Sequence, residues 1–177
     1  MRTIILFLAS LAIAAAQQTR VVTSHSPGDA KPNDPKVPDV YSVDAGKFDR
    51  VLIFRFKYQA DLLAGLEQMV KQNHIQNGVI LAAVGSVTGY QVHQVVNGTF
   101  PSKIMLEQMA NGPADLISMN GYIMNGRLHP HITLATPQNA FGGHLEPGTT
   151  VFTFAIVTVG VMKDGVDFSH LDDKTYR

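Results

Sequence analysis

The chain contains no cysteine. Disulfides cannot staple it, so its stability rests on a core, a bound metal or subunit association. Thiolate metal sites and cysteine nucleophiles are excluded for the same reason. Charge of one sign is also lacking: 14 Lys and Arg stand against 14 Asp and Glu, with no basic run. Binding to a polyanion needs clustered cations that displace counterions, so DNA is not an expected partner. No P-loop, Gly-x-Ser-x-Gly elbow or dinucleotide fingerprint occurs, and there is no internal repeat or low-complexity segment. Beyond the first residues no apolar run approaches the roughly 20 residues of a membrane span, so no membrane contact is expected of the mature protein.

The chain opens MRTIILFLASLAIAAAQQ, with a positive Arg2, an apolar stretch and a small-x-small pair, Ala14 and Ala16, before Gln17. This reads as a secretory signal peptide over residues 1–16, and it places the mature protein outside the cell, or in the periplasm of a bacterium. An uncleaved membrane anchor is the other reading of the same residues. Cleavage removes Arg2, leaving 13 basic against 14 acidic residues, a net charge of −1. Residues 17–47 carry Pro27, Pro32, Pro35 and Pro38 among polar residues and read as an extended linker, without helix or central strand. Asn97-Gly98-Thr99 is a glycosylation acceptor triplet, relevant only in a eukaryotic secretory pathway.

The domain is expected over residues 48–166. FDRVLIFRFK alternates and reads as a strand. Leu62, Leu63, Leu66, Met69 and Val70 recur at spacings of three and four, the stripe of an amphipathic helix, with Asp61 at its start and Asn77-Gly78 at its end. Strands dominate afterwards. GVILAAVGSVTGYQVHQVV reads as two β runs split around Gly85 and Gly89, and VFTFAIVTVGVM as a strand buried on both faces. Asn111-Gly112-Pro113 and Asn125-Gly126 signal turns. One helix among six or seven strands predicts an α+β fold built on a mainly antiparallel sheet. Residues 167–177 read as a polar tail that frays or packs loosely.

LHPHITLATPQNAFGGHLEPG, residues 128–148, concentrates three of the seven histidines. On a strand His129 and His131 project from one face and could share an ion. A turn at Thr136-Pro137-Gln138-Asn139 would return the chain, and Gly142-Gly143 would let it bend tightly before His144. Three neutral imidazoles plus water is the usual open coordination of catalytic zinc, although imidazole also suits iron, nickel and copper. The expected metal ligands are therefore His129, His131 and His144, holding Zn2+ or another divalent transition metal. The competing reading is two half-exposed edge histidines and one hydrogen-bonded turn histidine. Glu146 is the candidate fourth ligand, outer anchor or acid/base, against an exposed turn carboxylate. Arg127 reads as a solvated turn residue rather than an anion binder. His93 lies in a predicted strand and could approach the cluster, against the preferred reading of a satisfied strand histidine. His74 reads as a structural residue at the helix end, His25 as solvated, and His170, in the polar tail, carries no argument.

NGRLHPHITLATPQNAFGGHLEPGTTV resembles the signature of the plants-and-prokaryotes conserved (PPC) domain: Gly-x-x-His-x-His, a turn, then Gly-Gly-His-Leu. The likeness extends through RVLIFRFK, ADLLAGLEQMV and AAVGSVTG, about residues 48 to 162. It implies a compact α+β domain, commonly a homotrimer, with the matching histidines as a metal site in some members. No Arg-Gly-Arg-Pro AT-hook is present, so the plant DNA-binding role does not transfer; Gln59-Ala60 replaces the family's Gly-Glu, and Pro130 stands where a non-proline is usual. The function expected is a secreted, homotrimeric binding or assembly module with a three-histidine metal site and an unknown small-molecule ligand. The alternative is a metal-dependent hydrolase or lyase using a water on the three histidines, with Glu146 as base. A cupin-like barrel is disfavoured, since Ala135 and Thr136 occupy the region where a Glu would follow the histidine pair. A trimer with no metal and its histidines at the interface is the remaining reading.

Overall fold

The computed structural model describes residues 17–23 and 34–172. The leader expected over residues 1–16 lies outside them. Eight strands and one helix follow in the order β1 (Gln18–Thr23), β2 (Phe48–Lys57), α1 (Leu62–Gln72), β3 (Gly78–Val95), β4 (Lys103–Met109), β5 (Ala114–Met124), β6 (Arg127–Ala135), β7 (Ala140–Leu145) and β8 (Thr150–Met162). Every strand pairing is antiparallel. This is the expected α+β architecture, and no helix of the described residues is long and apolar enough to cross a membrane.

β3 organises the sheet. Its first half lies between β5 and β8, and its second half between β4 and β7. Because β5 pairs β6, β6 pairs β7 and β7 pairs β3, these four strands close on themselves. β2 extends the sheet beyond β8, and β1 extends it beyond β4. β3 is one 18-residue strand rather than the two expected runs. The glycines that suggested a break mark shifts in register against β8, between Gly85 and Val87 and between Val87 and Gly89. Gly85 sits at φ +155, where a Cβ would strike the Phe154 carbonyl oxygen, so the residue permits a bulge instead of ending the strand.

Leu62, Leu63, Leu66 and Val70 of α1 are buried, as their spacing predicts. Asp61 is the N-cap: its side chain accepts from the Ala64 amide at 2.9 Å and from the Gly148 amide at 2.6 Å. The helix stops earlier than Asn77-Gly78. Asn73 caps it and His74 takes the left-handed conformation, φ +52. Asn77 is buried instead, its amide donating to the Val166 carbonyl at 2.6 Å and its oxygen accepting from Asn125 N at 3.0 Å. The β5–β6 turn is the two-residue hairpin that Asn125-Gly126 signals, with φ +52 and +76.

Three further expectations are corrected. Residues 17–47 are not wholly linker: Gln18–Thr23 adds an edge strand to β4, and Val43 and Ala45 pack against the small core of Met124, Met162 and Phe168, while residues 24–33 lie outside the described residues. β8 is buried on both faces only towards its end, for Phe152 and Phe154 are exposed. Nor do residues 163–172 lie loose, while the rest of the expected tail, residues 173–177, lies outside the described residues. Phe168 is 3% exposed and joins Met124 and Met162 in a second small core.

A candidate metal centre on the outer face of the closing strands

Side-chain parity decides which residues meet. On β6 Pro130, Ile132 and Leu134 are buried, so His129 and His131 take the opposite face. On β7 Leu145 faces the core and His144 does not; on β3 Val92 is fully buried and His93 faces outward. Register completes the arrangement, because His131 pairs His144 and His144 pairs His93. Directly paired residues share a face. Three imidazoles thus stand in a row across β6, β7 and β3, with His129 two residues along from His131.

The glycines before His144 serve this closure, though not by bending the chain. Neither has positive φ. A Cβ on Gly142 would strike the Ile132 carbonyl oxygen, and one on Gly143 the His93 carbonyl oxygen. They allow β7 to lie close between its two neighbours. Thr136 N donates to Asn139 O at 2.9 Å in the expected β6–β7 turn. Pro130 costs β6 no bond to β7, because the β6–β7 pairing begins only at His131. Buried Thr149 fixes the next turn, its hydroxyl accepting from Gln91 N at 3.0 Å and donating to Gln91 O at 3.1 Å.

The rings are in contact. His129 and His131 stack with centroids 5.4 Å apart, and His144 stands edge-on to both at 5.1 and 5.4 Å. His93 stacks on His144 at 4.5 Å. The Nε2 atoms of His129 and His131 face one another at 3.3 Å. Glu146 joins from beyond β7: an Oε1 contacts His93 Nδ1 and lies 3.7 Å from His144 Nδ1. Its side chain is 23% exposed, so it is not the free turn carboxylate of the competing reading. At the other end Asp172 Oδ2 lies 3.2 Å from His129 Nδ1 and 3.7 Å from Arg127.

The three histidines singled out from sequence are therefore together, but atom by atom His144 has nearer company. The donor atoms of His93, His144 and Glu146 all lie within 4.8 Å of one another. His93, read as an ordinary strand residue, belongs to the cluster. Only the β3–β7 pairing reveals it, and sequence spacing carries no trace of that pairing. Asp172, in the segment read as a loose tail, was missed too.

Burial, together with His93 and His129, lowers the His144 pKa from 6.5 to about 4, against a smaller opposing pull from Glu146. Burial and the neighbouring His129 and His93 lower that of His131. Crowded imidazoles cannot all be charged, so this centre favours neutral rings, the form in which histidine binds a metal. His144 Nδ1 is buried without a hydrogen-bond partner, an orphaned lone pair or N–H in a polar cluster. Beside His129 and His131 opens a cleft of about 590 Å³. Its walls include Val43, Met124, Met162, Phe168 and Asp172.

Two Synechococcus proteins, each described as the bifunctional protein GlmU, are 27% identical to this chain over 120 and 100 residues, or 67% and 56% of it. The chain spans only 18% and 15% of their lengths. Among solved structures, a metal-containing protein from Archaeoglobus fulgidus is similar with a TM-score of 0.61 and 20% identity, covering 78% of this chain and 96% of that one. A plant- and prokaryote-conserved protein from Pyrococcus horikoshii is similar with a TM-score of 0.54 and 21% identity, covering 73% and 87%. Two neighbours described as candidate DNA-binding proteins, from Bacteroides thetaiotaomicron and Ralstonia eutropha, are each 19% identical, with TM-scores of 0.55 and 0.51. They cover 73% and 63% of this chain and 85% and 77% of their own. They lend no support to the expectation that DNA is not a partner, which rests on charge alone. Residues 43–163 match the Plants and Prokaryotes Conserved (PCC) domain, the domain that the histidine segment resembles, and the chain belongs to that family.

Proposed function

We propose that this PCC-domain protein is exported, assembles as a homotrimer and holds a divalent transition metal, zinc or a similar ion, on His129, His131 and His144. The carrying observation is the 3.3 Å between the facing Nε2 atoms of His129 and His131. That is long for an N–H···N hydrogen bond. It is the edge expected between two nitrogens each about 2.0–2.1 Å from a tetrahedral ion, about 3.3–3.4 Å. His144 stands edge-on to both rings, at 5.1 and 5.4 Å between centroids, and its low pKa fits a third neutral imidazole. When bound, the ion would supply a positive centre with a position left for water or ligand. Glu146 and Asp172 would orient the imidazoles and offset its charge. Zinc competition against a chromophoric chelator tests the reading: His131→Ala is expected to weaken binding at least tenfold, and equal affinity in both proteins contradicts it.

The trimer is supported by the outer face of β2, β8 and β3, where Ile53, Val84, Phe152 and Phe154 are exposed together. Arg55 and Lys57 share that face, the Arg55 guanidinium lying 5.8 Å from the Phe154 ring centroid, and large apolar side chains exposed among charges favour a contact surface. The extracellular or periplasmic assignment rests on the leader-like residues 1–16, and the mass of the mature chain tests it. The expectation of no DNA partner rests on the net charge of −1, and a salt-dependent binding titration with duplex DNA tests it.

The second reading, a metal-dependent hydrolase or lyase, is favoured by the cleft. A volume of about 590 Å³ lies within the range of small-molecule sites, and it opens on two of the proposed ligands. Glu146, the base expected in this reading, contacts His93 and lies 3.7 Å from His144 rather than lining the cleft, whose own carboxylate is Asp172.

A further inference from the structure

We propose that Asp172 is a positioning residue of the histidine centre, fixing His129 in the tautomer that presents a bare Nε2. The segment after β8 would then complete the site. The inference rests on the metal reading for its purpose, but not for its geometry. Three observations carry it. Asp172 Oδ2 is 3.2 Å from His129 Nδ1, and a carboxylate there accepts a hydrogen bond, which requires the proton on Nδ1. The other nitrogen of the same ring, Nε2, faces His131 Nε2. With its proton held at Nδ1, His129 offers a lone pair where the two nitrogens converge.

The third observation is that the chain places Asp172 deliberately. Phe168 is buried against Met124 and Met162, and Asn77 holds the Val166 carbonyl at 2.6 Å. A backbone bond inside the segment, Leu171 N to Phe168 O at 3.1 Å, turns the chain just before Asp172. The family match ends at residue 163, so this carboxylate is supplied from outside the shared domain. Arg127 is the competing partner, but it is 3.7 Å away and mostly exposed, and such a pair adds little.

The test uses Asp172→Asn and Arg127→Ala in the full chain. The first readout is the tautomer of His129 in metal-free protein, by nitrogen chemical shifts of the labelled imidazole. Wild type and Arg127→Ala are expected to hold the Nδ1–H form, and Asp172→Asn to lose that preference. The second is zinc affinity, expected to fall roughly 10- to 100-fold in Asp172→Asn, the usual effect of removing an outer carboxylate, and to recover in Asp172→Glu. An unchanged tautomer in Asp172→Asn overturns the proposal, as does an equal loss in Arg127→Ala. If wild type binds no metal, the metal reading fails while the tautomer readout still decides the role of Asp172.

Discussion

His144 concentrates the chemistry of the site at the scale of one residue. It is paired in register with both His131 and His93, its ring stands edge-on to His129, and its Nδ1 has no hydrogen-bond partner. Its folded pKa of about 4 lies below the 6.5 of an exposed imidazole. Between those values the unfolded chain takes up a proton that the folded chain refuses. The stability of the metal-free protein should therefore fall as pH drops from 6.5 towards 4 and level off below, and His131 adds a dependence of the same sign. Urea midpoints across that range check this, and His144→Gln should flatten the slope. A midpoint that rises on acidification contradicts the assignment. Asn97 shows a different economy: its side chain donates to Pro101 O at 3.1 Å and accepts from Lys103 N at 2.7 Å, so the acceptor triplet is also the brace of its own loop.

At the scale of elements, closure of β7 between β6 and β3 creates the site, and glycine makes closure possible. Gly143→Ala must push β7 away from β3 or drive a methyl into the His93 carbonyl. Overpacking of this kind costs about 1–3 kcal/mol, so thermal unfolding should shift down and zinc affinity should fall with it. Asp61→Ala removes the helix cap and the tie to Gly148, with an expected loss of about 0.5–2 kcal/mol in denaturant unfolding and little effect on metal affinity. Periodicity was enough to read the helix stripe, the Asn125-Gly126 hairpin and the shared face of His129 and His131, because each depends on neighbours along the chain. The partners of His144 depend on which strands meet, and no local pattern encodes that. His93 looked like any strand histidine until β7 lay beside it, and Asp172 lay in a stretch whose polar composition hid the single anchoring Phe168. The Gly-Gly pair supplies space for a neighbouring backbone, not the unusual φ expected of it.

At the scale of the whole molecule, a cysteine-free chain has built one sheet in which four strands close on themselves, packed a helix against its core and left an apolar-rich face exposed among the described residues. Ile53, Val84, Phe152 and Phe154 on that face are the surface a second copy would cover. Ile53→Glu should dissociate the proposed trimer to smaller species in sedimentation velocity while leaving far-UV dichroism unchanged. A wild-type protein that sediments as a monomer at all concentrations counts against the trimer, and the histidine centre is unaffected by that result, since its histidines come from one chain. The most direct measurement of the central claim is elemental analysis of the purified mature protein after zinc loading and dialysis, beside a His129→Ala/His144→Ala variant. One retained ion per chain in the wild type, absent from the variant, is the predicted result; no retained ion in the wild type, or equal retention in both, contradicts it.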